Sequence, residues 1–190
     1  MPKFTQLPAD TFKQLQLNAG VLLKKFDTKS GTITPADLLG ATSGGVKFAA
    51  TPSYKDFGED IDNCPKNTKE LKRLESYEVV MSGSFVALTP ASAKSLAGAA
   101  DVASDDPTKV VPRNDLKDTD FEDLWWVGDY GDVDGGYIAI HMTNSLSTGG
   151  FSLQTTDKEK GKFDFEYTAH YSMADMSKVP FEIFVKAGGE

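Results

Sequence analysis

Two runs of alternating residues, Gly45–Phe57 and Glu75–Leu88, flank a long polar stretch from Gly58 to Leu74. In the second run Tyr77, Val79, Met81, Phe85 and Ala87 share one face, and Ser76, Glu78, Ser82 and Ser84 share the other. In the first, Val46, Phe48, Ala50 and Tyr54 lie opposite Lys47, Thr51, Ser53 and Lys55. A period of two marks a strand with one face buried. Antiparallel strands are commonly joined by two-residue turns. A charged connection of this length costs closure entropy, and the usual reasons for one are a partner, a ligand or disorder.

The rest of the chain extends the same pattern. Leu15, Leu17, Ala19, Val21 and Leu23 alternate with polar residues and predict a first strand. Thr34-Pro35 to Gly40 and Thr89-Pro90 to Gly98 each combine a capping threonine, a first-turn proline and a closing glycine, which predicts two short helices. Leu124–Val127, Tyr137–Thr143, Phe151–Thr155, Lys162–Tyr171 and the Phe181/Ile183/Val185 run supply further strands. Parallel sheets need helical crossovers, and none is present. The expected fold is therefore mainly β: a single domain over residues 1–190, built as an antiparallel β-sandwich or half-barrel of about eight strands with one or two short flanking helices.

Charge narrows the function. The net charge is −8, and a phosphate backbone demands clustered Lys and Arg, so ordinary nucleic-acid binding is disfavoured. Residues 101–123 read as an acidic loop, with eight carboxylates against Lys109, Arg113 and Lys117. No apolar run reaches the roughly 18–20 residues of a membrane helix. The segment Met1–Pro8 lacks the apolar stretch of a secretory signal. A single cysteine gives no disulfide framework, which fits synthesis in a reducing cytosol.

Catalytic chemistry finds little support. His141 and His170 have no second histidine or cysteine at ligand spacing, and Cys64 has no base near it in sequence. The stretch Asp129–Gly136 has turn chemistry without the ligand series of a calcium loop. Asp164 and Glu166 share a strand face as a hydrolytic pair would, but so do solvated charges on any strand. Neither enzyme activity nor a cofactor is expected. An alternative is a non-catalytic carbohydrate-binding module, with Trp125 or Trp126 as a sugar platform; neighbouring strand residues point oppositely, so only one could face a ligand.

The block Gly40-Ala-Thr-Ser-Gly-Gly-Val-Lys-Phe48, the string Tyr54-Lys-Asp-Phe-Gly-Glu-Asp-Ile-Asp-Asn-Cys-Pro-Lys-Asn-Thr-Lys-Glu-Leu-Lys72 and Met81-Ser-Gly-Ser-Phe85 together resemble the major tail (tail tube) proteins of tailed bacteriophages and prophages of Gram-positive bacteria. Trp126-Val-Gly-Asp-Tyr130, Gly135-Gly-Tyr-Ile-Ala-Ile140 and the aromatic strand at Phe163 are also similar to that family, and the likeness spans roughly residues 14–186. The resemblance implies a structural subunit, made in the bacterial cytoplasm and incorporated in the virion tail. Such subunits assemble into rings, typically hexameric, whose inner sheets join and which stack into a conduit for the genome. The implied partners are further copies of the chain, a tape-measure protein and a tail-initiator or baseplate complex; DNA would be a passing, repelled cargo. The polar stretch 58–74, with Glu59, Asp60, Asp62, Lys66, Lys69 and Arg73, is the expected assembly arm. Asp164 and Glu166, or the acidic loop, are the expected lumen-facing carboxylates.

Overall fold

The computed structural model of the protein describes residues 7–131 and 134–188. Among these residues there are ten strands: β1 Val21–Leu23, β2 Leu38–Gly40, β3 Thr42–Asp56, β4 Lys72–Phe85, β5 Ala100–Val102, β6 Val110–Pro112, β7 Glu122–Asp129, β8 Tyr137–Ser147, β9 Phe163–Ala169 and β10 Phe181–Lys186. Among the described residues the one α-helix, α1, is Pro90–Ala97. Every strand pairing is antiparallel. Eight strands form one sheet in the order β2-β1-β7-β8-β9-β4-β3, with β10 added to β8, and β5 pairs with β6 separately. The fold is mainly β and antiparallel, as expected, with no closed barrel.

The sheet curls strongly. Leu22 of β1 and Val79 and Met81 of β4 stand far apart along the strand order, yet they share one core with Phe85, Leu124, Met142, Phe165 and Tyr167. The ends of the sheet even share one run of chain. Leu38–Gly40 pairs with β1, and after Ala41 the same run pairs with β4. A second core on the other face gathers Leu23, Phe26, Trp125, Val127, Tyr137 and Ala139. The central strand β8 thus supplies Met142 to one core and Ala139 to the other, both fully buried.

Helix α1 closes one side. Thr89 accepts the Ser92 N–H while the Ser92 hydroxyl accepts the Thr89 N–H, a complete capping box, and Leu96 enters the first core fully buried. The Ser95 hydroxyl meets the Tyr167 hydroxyl at 2.9 Å. Burial pushes the Tyr167 hydroxyl up to about 12 against that hydrogen bond.

Several expected elements differ. Only Val21–Leu23 of the predicted first strand is a strand, because the Asn18 side chain accepts the Gly20 N–H and Gly20 turns at φ +67°. The helix expected at Thr34–Gly40 is a 3-10 turn, Pro35–Asp37, that runs straight into β2. Phe151–Thr155 makes a single bridge, Gln154 to Lys162, and no strand. In the turn Asp129–Gly136, Asp132 lies outside the described residues.

The acidic loop at 101–123 is not a loop. It contains β5, β6, a 3-10 turn at Asp118–Asp120 and the start of β7. Arg113 organises it: its guanidinium lies 2.5 Å from Asp120, 2.8 Å from Asp101 and 3.8 Å from Asp115, while Lys117 adds a contact to Asp101 at 3.1 Å. The Asp120 side chain is fully buried. Burial alone would push its carboxyl up, but the Lys117 N–H and the Arg113 guanidinium outweigh this and hold it below the ordinary carboxylate value of 3.8. A lowered carboxyl contributes stability above its unfolded titration, and the contribution is lost as pH falls through the folded one. Asp120→Asn is accordingly expected to cost about 1.5–3 kcal/mol at pH 7, the range for a hydrogen bond to a charged group. The gap between variant and parent should close below about pH 4. Thermal melts of both proteins from pH 7 to 2 measure it, and a gap that stays constant into acid would contradict the assignment.

Candidate assembly surface

β3 and β4 form a hairpin whose ladder runs from Thr42/Phe85 out to Asp56/Lys72. β9 supports only its inner half, from Val80/Thr168 to Phe85/Phe163. Beyond Val79 the two strands continue as a ribbon. A two-stranded ribbon is marginally stable alone, and this one is anchored at its root: Tyr77 and Phe48 each pack on Phe181. The Tyr171 hydroxyl accepts the Tyr77 N–H at 2.9 Å.

That last bond fixes the hydrogen-bonding phase of β3. The Tyr77 N–H points away from β3, so Pro52, directly opposite, belongs to a pair that exchanges no ladder bonds. Pro52, which has no N–H, therefore faces the open side, where proline is tolerated in a strand. By alternation the backbone groups of Phe48 and Ala50 also point to the open edge. β3 is 15 residues long and, among the described residues, pairs with β4 alone. Such an edge is a template for another strand.

The expected arm is shorter and more ordered than residues 58–74. Lys72, Arg73 and Leu74 lie in β4, opposite Asp56, Lys55 and Tyr54. The sequence missed this because of a bulge: Ser53 faces Ser76 while Tyr54 faces Leu74, which skips Glu75 and flips the alternation. The remaining tip is tied by the Asp56 carboxylate, which accepts the N–H groups of Gly58 and Asn67. Those two hydrogen bonds, the Gly58 one first, hold its carboxyl below the usual range. Glu59, Asp60, Asp62, Lys66 and Lys69 all lie exposed on this tip, and Arg73 is exposed on β4. Apolar groups are exposed with them: Tyr54, Phe57, Ile61 and Leu74 each leave about half of their surface in solvent, at 49–57%.

Asp164 and Glu166 are exposed on β9, opposite its buried Phe165 and Tyr167. Asp164 accepts the Ser84 hydroxyl at 2.6 Å. Glu166 lines a shallow depression with Lys47, Thr51 and Glu78. This face is mixed in charge, because Lys47, Lys55 and Arg73 alternate into it beside Glu78, Asp164 and Glu166. The second acidic candidate, residues 101–123, has its carboxylates Asp101, Asp115 and Asp120 gathered on Arg113.

Both tryptophans are engaged within the chain. Trp125 is buried and stacked on His141 and Phe184. Trp126 donates its indole N–H to the Ala19 carbonyl at 2.9 Å, and its ring lies against Gly20 and Gly128, where an added Cβ would fall 2.5 and 2.6 Å away. Cys64 sits half-buried near Thr68 at 3.6 Å. Among the described residues no group of three or more His, Cys, Asp or Glu is placed to hold a metal ion. No helix among them is long and apolar enough to cross a membrane. No model of a known protein family matches the chain, and no curated protein matches it.

Proposed function

We propose that the chain is a structural subunit that self-assembles edge to edge, as the subunit of a phage tail tube, with further copies of itself as its main partner. The observation that carries this reading is the long, one-sided strand β3 continued into a ribbon whose apolar tip stands in solvent. A strand edge of this length invites pairing, and an interface between different surfaces of identical copies closes into rings or extends into filaments. Phe57 and Ile61 at the tip suit a contact with the next ring. The mixed-charge face bearing Asp164 and Glu166 is the proposed lumen lining; with Glu78 these carboxylates offset the cations Lys47, Lys55 and Arg73 on the same face. In this reading the protein is not an enzyme and belongs to the virion tail, with tape-measure and initiator proteins as further partners.

Negative-stain microscopy of the purified protein over rising concentration, with and without the tail-initiator complex, tests the reading. Rings or tubes of regular axial period are expected. A chain that stays monomeric under both conditions would overturn it.

A further inference from the structure

β10 is a second open edge of the sheet. Among the described residues it pairs with β8 alone. Just ahead of the strand, the Thr143 N–H donates to the Pro180 carbonyl at 3.0 Å. That bond sets the phase. By alternation Glu182, Phe184 and Lys186 turn their backbone groups toward β8, and Ile183 and Val185 turn theirs outward. The side chains of Ile183 and Val185 are 55% and 59% exposed, on the same face as Phe181, which packs on the first core. We propose that this edge receives β3 of a second copy of the chain, paired antiparallel, which rests on the self-assembly proposed above and identifies the two borders that meet.

The two edges match in phase. On each, the residues whose backbone faces outward carry their side chains on the first-core face: Val46, Phe48 and Ala50 on β3, Ile183 and Val185 on β10. In an antiparallel pair, residues that exchange both hydrogen bonds stand directly opposite and share a face. Joined this way, the apolar face of one subunit continues into that of the next. Parallel pairing staggers the bonds, so an outward-facing residue of one strand stands level with an inward-facing residue of the other. Ile183 and Val185 would then share a face with Lys47, Thr51 and Ser53.

Charge favours the same partners. On its other face β3 carries Lys47 and Lys55, and its carboxylate, Asp56, lies at the far end. β10 brings Glu182 to that face; it reaches His141 at 3.3 Å within its own subunit and keeps 45% of its side chain in solvent. Lys186, the cation of β10, is turned onto the Tyr137 ring. A β3–β3 pair is the poorer match. It would bring Pro52, which has no donor, into the junction twice and gather Lys47 and Lys55 of both copies on one face. A β3–β10 junction joins unlike surfaces, so it repeats from copy to copy and can close a ring.

Cysteine pairs test the junction. Cys64→Ser removes the native cysteine. In that background Ile183→Cys is combined in turn with Val46→Cys, Ala50→Cys or Tyr54→Cys on the matching face, and with Lys47→Cys, Thr51→Cys or Lys55→Cys on the other. Directly opposed residues of a hydrogen-bonded pair lie about 5.5 Å apart at Cα, inside the disulfide range of about 4.4–6.8 Å. Mild oxidation of assembled protein should link at least one member of the first set into a ladder of dimers, trimers and longer chains on non-reducing gels. The ladder should be lost in the second set. Val185→Pro, which removes an outward donor and no bond to β8, should melt near the parent and form no tubes. Parent tubes that cross-link only through the second set, only to dimers or not at all, or a folded Val185→Pro that still forms tubes, overturn the β3–β10 seam and leave self-assembly standing. A parent protein that forms no tubes overturns the self-assembly itself, and this seam with it.

Discussion

In the proposed edge-to-edge assembly, Ala50→Pro is expected to abolish tube formation while leaving the subunit folded. The phase of β3 decides this. Tyr77 sends its N–H to the Tyr171 hydroxyl, Pro52 opposite it faces outward, and two residues back Ala50 has the same orientation. A proline at position 50 therefore removes no bond to β4, and its fixed φ is acceptable at a sheet edge. Ala50 is half-buried against the first core, so the subunit should lose about 1–2 kcal/mol from crowding there. A neighbouring strand, however, must approach to about 4.8 Å. It would meet a pyrrolidine ring where it needs a donor. The lost hydrogen bond is worth about 0.5–1.5 kcal/mol, and the loss recurs at every subunit junction. Ala49→Pro is the contrasting case. The Ala49 backbone belongs to the ladder, so that change should destabilise the hairpin itself by about 3 kcal/mol. Thermal melts and microscopy together separate the two. Normal tubes from Ala50→Pro would remove the β3 edge as the seam between subunits.

How far the sequence revealed this fold depends on the range of each interaction. The β9 alternation was legible because every cue lay within seven residues: Phe165, Tyr167 and Ala169 are buried, and Asp164 and Glu166 are exposed. The helix entry at Thr89-Pro90 and its exit at Gly98 were equally local. The hairpin was visible as two matching runs, but its true length was hidden by the bulge at Glu75. Long-range pairing left no trace in the sequence. β10 joins β8 across 39 or more residues, from Met142 to Phe181, and not β9, its neighbour in the chain. Charge counting read residues 101–123 as a solvated loop, because it cannot see that Arg113 draws Asp101, Asp115 and Asp120 together around a buried carboxylate. His141 looked like an isolated histidine for the same reason. Its carboxylate partners come from strands 18 and 41 residues away in the chain.

Phe85→Ala should be the most damaging single truncation, costing about 3–5 kcal/mol. Phe85 is 1% exposed, and its ring sits 4.5 Å from that of Phe165. It lies where the curled sheet turns back on itself: Thr42 faces it across the ladder on one side, Phe163 on the other, and Gly40 of β2 comes against its ring. The loss would take a large share of the roughly 5–15 kcal/mol that holds a typical domain together. For a chain of this size it corresponds to a fall in Tm of about 6–20 °C. Gly40 offers an internal control. A Cβ there would lie 3.1 Å from the Phe85 ring, so Gly40→Ala alone should destabilise by crowding. In the Phe85→Ala background the same methyl enters the space the ring vacated, so the double variant should be more stable than the two single effects predict, by about 0.5–1.5 kcal/mol of coupling. Strict additivity in that cycle would mean that the two ends of the sheet do not meet at this ring.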